Sequence, residues 1–333
     1  MMNLRIAERG LRPERRSFTL IELLAVMAIF AILLSMVLAA VVSAEAFARK
    51  SHTQDLINRL SALIMNKWNT YQTRRVPIYI DPTKYTPAQA AKLQLDALHE
   101  LMRLEMPDRL SDINDNPVTT YVDPTGATVT MQRPSASIAY QKYLAAQTTV
   151  AASRGTNAPN TLYQGAECLY MIITLGTEEG AGREFFKESD VGDVDNDSLP
   201  EFIDGWGNPI RFLRWAPAFI PANGADTQLQ SDETIKEPNG QTVYKSPDPF
   251  DPHKVYGGYA LYPLIYSAGP DGITDIQADL GTALRYSTIS NNPFDASVKG
   301  QIGLPTDVNE GNISKNGTND WYDNIHNHFN VID

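Results

Sequence analysis

Ser17-Phe18-Thr19-Leu20-Ile21-Glu22-Leu23-Leu24 decides the reading of this chain, because it sets a single acid at the mouth of an otherwise apolar run. That run, Phe18–Val42, holds 25 residues, and only Thr19, Glu22 and Ser35 among them are polar. One helix of that length crosses a bilayer. Arg5, Arg9, Arg12, Arg15 and Arg16 crowd its amino side, whereas only Arg49 and Lys50 follow it at a distance. The positive-inside bias then keeps the short amino end cytoplasmic and places the rest of the chain across the membrane. An ionised carboxylate within the span costs about 2–3 kcal/mol unless it is paired or near the interface. Glu22 therefore needs a reason, and the local one is a capping box: Thr19-Leu20-Ile21-Glu22 fits Thr-x-x-Glu, in which two side chains satisfy the free amides of the first turn.

A second reason comes from the whole octapeptide, which resembles the cleavage and methylation motif of type IV pilins and type II secretion pseudopilins. The resemblance implies that residues 1–17 are a leader, that a prepilin peptidase cuts between Ser17 and Phe18, and that the new amino group of Phe18 is methylated. It further implies that Glu22 meets the amino terminus of a neighbouring subunit, each buried charge being tolerable only when paired. Two positions depart from the family. Ser17 stands where a Gly usually precedes the cut, an exchange expected to slow or prevent processing, and Ala39 stands where many members have a helix-loosening Pro. Two other fates of the segment are a plain signal anchor and a secretory signal peptide cut after Ala46, for which Ala44-Glu45-Ala46 supplies small residues but the apolar core is too long.

No Gly or Pro lies between Pro13 and Pro77. A helix from about Thr19 to Thr73 is expected, roughly 80 Å long, in which residues 18–42 span the membrane and 43–75 form a stalk. Ile57, Leu60, Ile64 and Tyr71, flanked by Leu56, Leu63 and Trp68, recur at three- and four-residue steps, giving a stripe expected to lie against a sheet. Arg74-Arg75-Val76-Pro77 ends the stalk. Residues 76–165 read as a helical insertion where partner specificity is expected to reside. Its helices are one from Thr86-Pro87 to about Leu104, a second over Ser137–Ala151, and the beginning of a third over Leu162–Leu175.

Residues 166–333 read as an acidic α+β head. Asp193, Asp195 and Asp197 alternate as at the start of a calcium loop, with Glu201 at the ninth position and Asp204 at the twelfth. Hard oxygen donors at that spacing suit calcium, whereas zinc or copper would want His or Cys. Ser198 replaces the turn Gly and Asp204 the bidentate Glu of the EF-hand loop. The alternative is a solvated acidic turn with no ion. Asp204-Gly205-Trp206-Gly207-Asn208-Pro209 then supplies a turn before a strand over 210–215, and a second strand, Tyr259–Tyr266, leads into Ser267-Ala268-Gly269-Pro270-Asp271-Gly272. This pair of turns looks like the head of the major type II pseudopilin. The resemblance implies a second calcium site at Asp271 and Asp275, with Asp320 and Asp323 as further candidates. His326 and His328 flank Asn327 without a third ligand and read as surface residues, and Cys168 reads as core.

The chain has 333 residues and a net charge of -11; beyond residue 17 there are 23 basic against 37 acidic residues, a net charge of -14. So acidic a body argues against nucleic acid and favours cations or a basic protein surface. One cysteine excludes an internal disulfide framework. Gly-x-Ser-x-Gly, His-Glu-x-x-His, the phosphate loop and the dinucleotide fingerprint are all missing, so no enzyme motif competes. The expectation is an α+β, pilin-like structural subunit, single-pass in the cytoplasmic (inner) membrane, with its amino end cytoplasmic, its head periplasmic and calcium as cofactor. Its implied partners are the prepilin peptidase, the inner-membrane assembly platform, copies of itself and other pilin-like subunits, within a type II secretion pseudopilus. A type IV pilus subunit, or a secreted calcium-dependent binding or hydrolytic domain, is the alternative.

Overall fold

The computed structural model describes residues 19–81, 83–117, 119–122, 128–159, 161–176, 178–217, 219–222, 226–229, 234–236, 242–244, 248–251, 261–274, 276 and 325–328. Its contacts divide the chain into two units, Met1–Ala48 and Arg49–Asp333. Helix α1, Leu20–Thr70, contributes residues to both. In the first unit its large apolar side chains from Leu20 to Val42 stand 56% to 81% exposed, so their burial must come from lipid or from other chains. In the second unit Leu56, Ile57, Leu60, Ile64 and Trp68 are buried, the stripe that the spacing predicts.

The stripe lies against more than a sheet. Trp68 meets Phe250 edge-on at 4.9 Å, Tyr71 Oη donates to Glu105 at 2.8 Å, and Ser61 Oγ accepts from Asn327 Nδ2 at 3.1 Å. Helix α2, Pro87–Glu105, begins where the sequence places it: Thr86 caps it, Pro87 takes the first turn, and Gln89 completes the capping box. Helices α3 (Leu110–Asn114), α4 (Ser135–Arg154) and α5 (Gln164–Leu175) follow, with hairpin β1 (Thr119–Val122)–β2 (Thr128–Thr130) between α3 and α4. Their apolar residues share one core with the head, and Cys168 is buried in it as expected.

Strands β3 (Val191–Gly192) and β4 (Glu201–Phe202) pair antiparallel across the acidic loop. Strand β5, Arg211–Pro217, is followed by two small hairpins, β6 (Phe219–Ala222) with β7 (Asp226–Leu229) and β8 (Thr234–Lys236) with β9 (Thr242–Tyr244). Strand β10, Leu261–Ser267, is the middle of a three-stranded antiparallel sheet between β5 and β11 (Ile325–His326). Its register with β5 shifts between Tyr262 and Leu264, at Pro263, which has no amide to give the ladder. Asn327 extends the other edge: its main-chain amide donates to the Ile265 carbonyl and its Oδ1 accepts from the Ile265 amide. This α+β arrangement, with a long apolar amino-terminal helix and small antiparallel sheets, is the expected class. One expectation is corrected: His328 is fully buried with Nε2 3.3 Å from the Pro263 carbonyl, so it is not a surface residue, while His326 is half-buried.

Candidate functional site

At the amino end the capping box forms. Thr19 donates its amide (2.9 Å) and its hydroxyl (3.0 Å) to Glu22 Oε2, and the Glu22 amide donates back to Thr19 Oγ1 at 3.3 Å. Glu22 is thus held at the first turn of α1 while still exposed on the helix surface. Ser17 and Phe18, the expected processing residues, lie outside the described residues.

The acidic loop is mounted on α1 from both sides. On its amino side, buried Asp190 lies 3.3 Å from His52 Nε2 and 4.0 Å from Arg59. On its carboxyl side, the Gly205 amide donates to Thr53 Oγ1 at 2.9 Å. Within the loop, Asp193 accepts from the amides of Asp197 (3.0 Å) and Ser198 (3.1 Å), and Asp197 Oδ1 accepts from Leu199 at 2.9 Å. Ser198 has φ 73°, the left-handed region, at the position where the calcium-loop pattern has its Gly. The loop between α4 and α5 braces it, through Asn157 Nδ2 to the Asp195 carbonyl (3.0 Å) and the Asn157 amide to the Asn196 carbonyl (3.2 Å).

These contacts gather carboxylates into two overlapping groups, Asp193–Asp195–Asp197 and Glu167–Asp195–Glu201, each with ligand atoms within 4.8 Å of one another. Glu167 comes from α5, and no spacing argument reaches it from the loop. Its only mark in the sequence is that it is the one charged residue in the helix Gln164–Leu175. Its side chain is buried, and neither carboxyl oxygen has a hydrogen-bond partner among the described residues. Glu201 is also buried; Oε2 accepts from the Val194 amide at 3.0 Å, while Oε1 has no hydrogen-bond partner among the described residues. Burial first, then the charges of Asp197, Glu201, Asp195 and Asp193, push the Glu167 carboxyl up to about 9. Burial likewise pushes Glu201 up to about 8, with the Val194 amide opposing and Asp195, Asp193 and Asp197 adding. A divalent cation would reverse that preference, and the donors are all hard oxygens of the kind calcium takes.

Other expected ligands are placed elsewhere. Asp204 Oδ1 accepts from the amides of Trp206 (2.8 Å) and Asn208 (2.9 Å), and its Oδ2 accepts from Ser267 Oγ at 2.6 Å. It belongs to neither carboxylate group among the described residues. The two turns singled out in the sequence meet here, since Asn208 Nδ2 also donates to the Gly269 carbonyl at 2.9 Å. Asp271 is exposed and accepts from the Ile273 amide at 2.9 Å. Asp275, Asp320 and Asp323 lie outside the described residues.

Among the described residues, α1 is the one helix long and apolar enough to cross a membrane. Together with the methylation motif at residues 12–38, this one amino-terminal apolar helix is consistent with a single-pass inner-membrane protein. Residues 12–38 match the family model of the prokaryotic N-terminal methylation motif, so the chain carries the prepilin-type signal of pilin-like proteins. That signal implies a prepilin peptidase and assembly with other pilin-like subunits. No curated protein and no solved structure matches the chain.

Proposed function

We propose that this chain is a structural subunit of a type II secretion pseudopilus, drawn into the filament by its amino-terminal helix and carrying a calcium-stabilised head on the periplasmic side. The match of residues 12–38 to the methylation motif carries this reading. The prepilin peptidase removes residues 1–17, and the Phe18 ammonium neutralises Glu22 of an adjoining copy as the inner-membrane platform adds subunits. The exposed apolar surface of α1 supports a filament role, because neighbouring helices would cover it. The resemblance of the Trp206-Gly207-Asn208-Pro209 and Ser267–Gly272 turns to the head of the major type II pseudopilin favours the pseudopilus over a type IV pilus. The role is mechanical rather than catalytic, and calcium acts by neutralising the acidic loop after β3.

Intact-mass measurement of the chain co-expressed with a prepilin peptidase tests the core of this. The expected product begins at an N-methylated Phe18. A product that keeps Met1 or Met2, or one that begins at Phe47, overturns it. Thermal melting with calcium and with chelator tests the head, and equal midpoints would remove calcium from the reading.

A further inference from the structure

We infer that the calcium site is closed by Glu167, a ligand that lies outside the loop motif, so that one ion joins α5 to the β3–β4 hairpin. This rests on the reading that calcium orders the head, and it changes what the ion does there. A loop-only site would stiffen a single turn. A site that includes Glu167 ties the hairpin to the helix that fills the core.

Two independent observations converge. The first is the carboxylate arrangement, in which Asp195 belongs to both groups and so links Asp193 and Asp197 to Glu167 and Glu201. The second is Glu167 itself, 1% exposed, with both carboxyl oxygens inside the protein and lacking a hydrogen-bond partner among the described residues. A core position in an apolar helix would ordinarily hold an apolar residue, and a buried acid there is expected to be paired or to coordinate a metal. The carboxyl groups of Asp195 and Glu201 lie within 4.8 Å; without an ion such a cluster is tolerable only by holding protons, whereas a cation between the groups turns their proximity into binding. Five carboxylates and no nitrogen or sulfur donor suit calcium, which accepts six to eight oxygens in irregular geometry, better than magnesium, which demands an octahedron and keeps its waters. Asp204 is left out because it belongs to neither carboxylate group among the described residues.

The test uses the full chain in detergent, stripped with chelator and titrated with calcium chloride, comparing wild type with Glu167→Gln by calorimetry and melting. Wild type should bind calcium and melt higher with it. Glu167→Gln should melt higher than wild type without calcium, yet bind calcium about tenfold more weakly or worse and lose most of the calcium-induced rise. Equal affinity and an equal rise in both would overturn the role of Glu167 while leaving a calcium-ordered head intact. No response in wild type would overturn both. Hydrogen exchange on the unmodified chain gives a second measurement that needs no variant. Calcium should slow exchange at the start of α5, around Gly165–Leu169, as well as in residues 193–201, and protection confined to residues 193–201 would again exclude Glu167.

Discussion

Arg214 is 1% exposed and is held by Asp112 Oδ2 at 2.9 Å, Asp108 Oδ1 at 3.4 Å and the Met106 carbonyl at 2.9 Å, with Trp215 beneath its guanidinium at 4.2 Å. Arg103 completes the network from α2, paired with Glu100 at 2.8 Å and with Asp112 at 3.2 Å. Removing one partner of such a network strands a buried charge, so Arg214→Met should cost about 3–5 kcal/mol by thermal melting, with part of the loss recovered in Arg214→Met/Asp112→Asn. A cost below about 1 kcal/mol would mean that the aspartates find water or another cation. Near this network, buried His99 and Asp248 face each other across 4.0 Å, each shifted by its own burial. Burial, with the charges of Arg214 and Lys92, lowers the His99 imidazole from 6.5 to about 3. Burial raises the Asp248 carboxyl from 3.8 to about 7. Below pH 6.5 the unfolded chain protonates His99 and the folded one does not, so that group loses stability as pH falls toward 3. Above pH 3.8 the unfolded chain ionises Asp248 and the folded one does not, so that group loses stability as pH rises toward 7. The two slopes oppose each other between 3.8 and 6.5, each about 1.4 kcal/mol per pH unit. Relative to wild type, His99→Leu should gain stability as pH is lowered from 6.5, and Asp248→Asn should gain as pH is raised from 3.8. Parallel stability-against-pH curves for all three chains would show that neither burial carries a pH-dependent cost. The partners that Arg214 finds in Asp112 and Met106 were not legible in the sequence, because they lie 102 and 108 positions away. Asp204 illustrates the converse: the same residue fits the twelfth position of an ion loop and the first position of an Asp-Gly turn, and the turn, whose donors are two and four residues away, takes it.

At the scale of elements, what the sequence makes legible is what local chemistry dictates. The three- and four-residue spacing of Leu56, Ile57, Leu60, Ile64 and Trp68 fixes which face of α1 is buried. Thr86, Pro87 and Gln89 fix the first turn of α2, because cap, ring and reciprocal hydrogen bond all fall within four residues. Strands β5 and β10 announce themselves by apolar content between turn residues, whereas β11 has two residues and no pattern of its own; it exists because Asn327 completes the edge of β10. The junction between α1 and the turn after β4 depends on close approach rather than pattern. A Cβ at Gly205 would stand 2.7 Å from the Arg49 carbonyl oxygen and 3.0 Å from the Arg49 Cα, both backbone atoms of a helix that cannot yield. Gly205→Ala should therefore cost about 1–3 kcal/mol by melting and break the Thr53 hydrogen bond to the Gly205 amide. Thr53→Val, which removes that bond without the clash, should cost less, and an equal loss would show that the hydrogen bond rather than the clearance sets the junction.

For the whole molecule, the balance lies between a helix that one chain leaves uncovered and an acid that one chain satisfies only locally. Glu22 already accepts from the Thr19 amide and hydroxyl, so the capping box alone makes the carboxylate tolerable at the first turn. Local satisfaction and pairing between subunits therefore make different predictions. If the box were the whole role of Glu22, Glu22→Gln would change little, since glutamine serves the same position in a capping box. If Glu22 also neutralises the new ammonium of an adjoining copy, Glu22→Gln should leave cleavage before Phe18 intact and abolish polymerisation, read as processed but monomeric chain in detergent extracts. Ser17 acts one step earlier. Ser17→Gly should raise the processed fraction in a pulse-chase with the peptidase and leave the assembly of processed chains unchanged. Combining the two substitutions separates the steps completely: faster cleavage with no filament places Ser17 in processing and Glu22 in assembly. Filament recovered in the double variant would mean that the carboxylate serves only the first turn of its own helix.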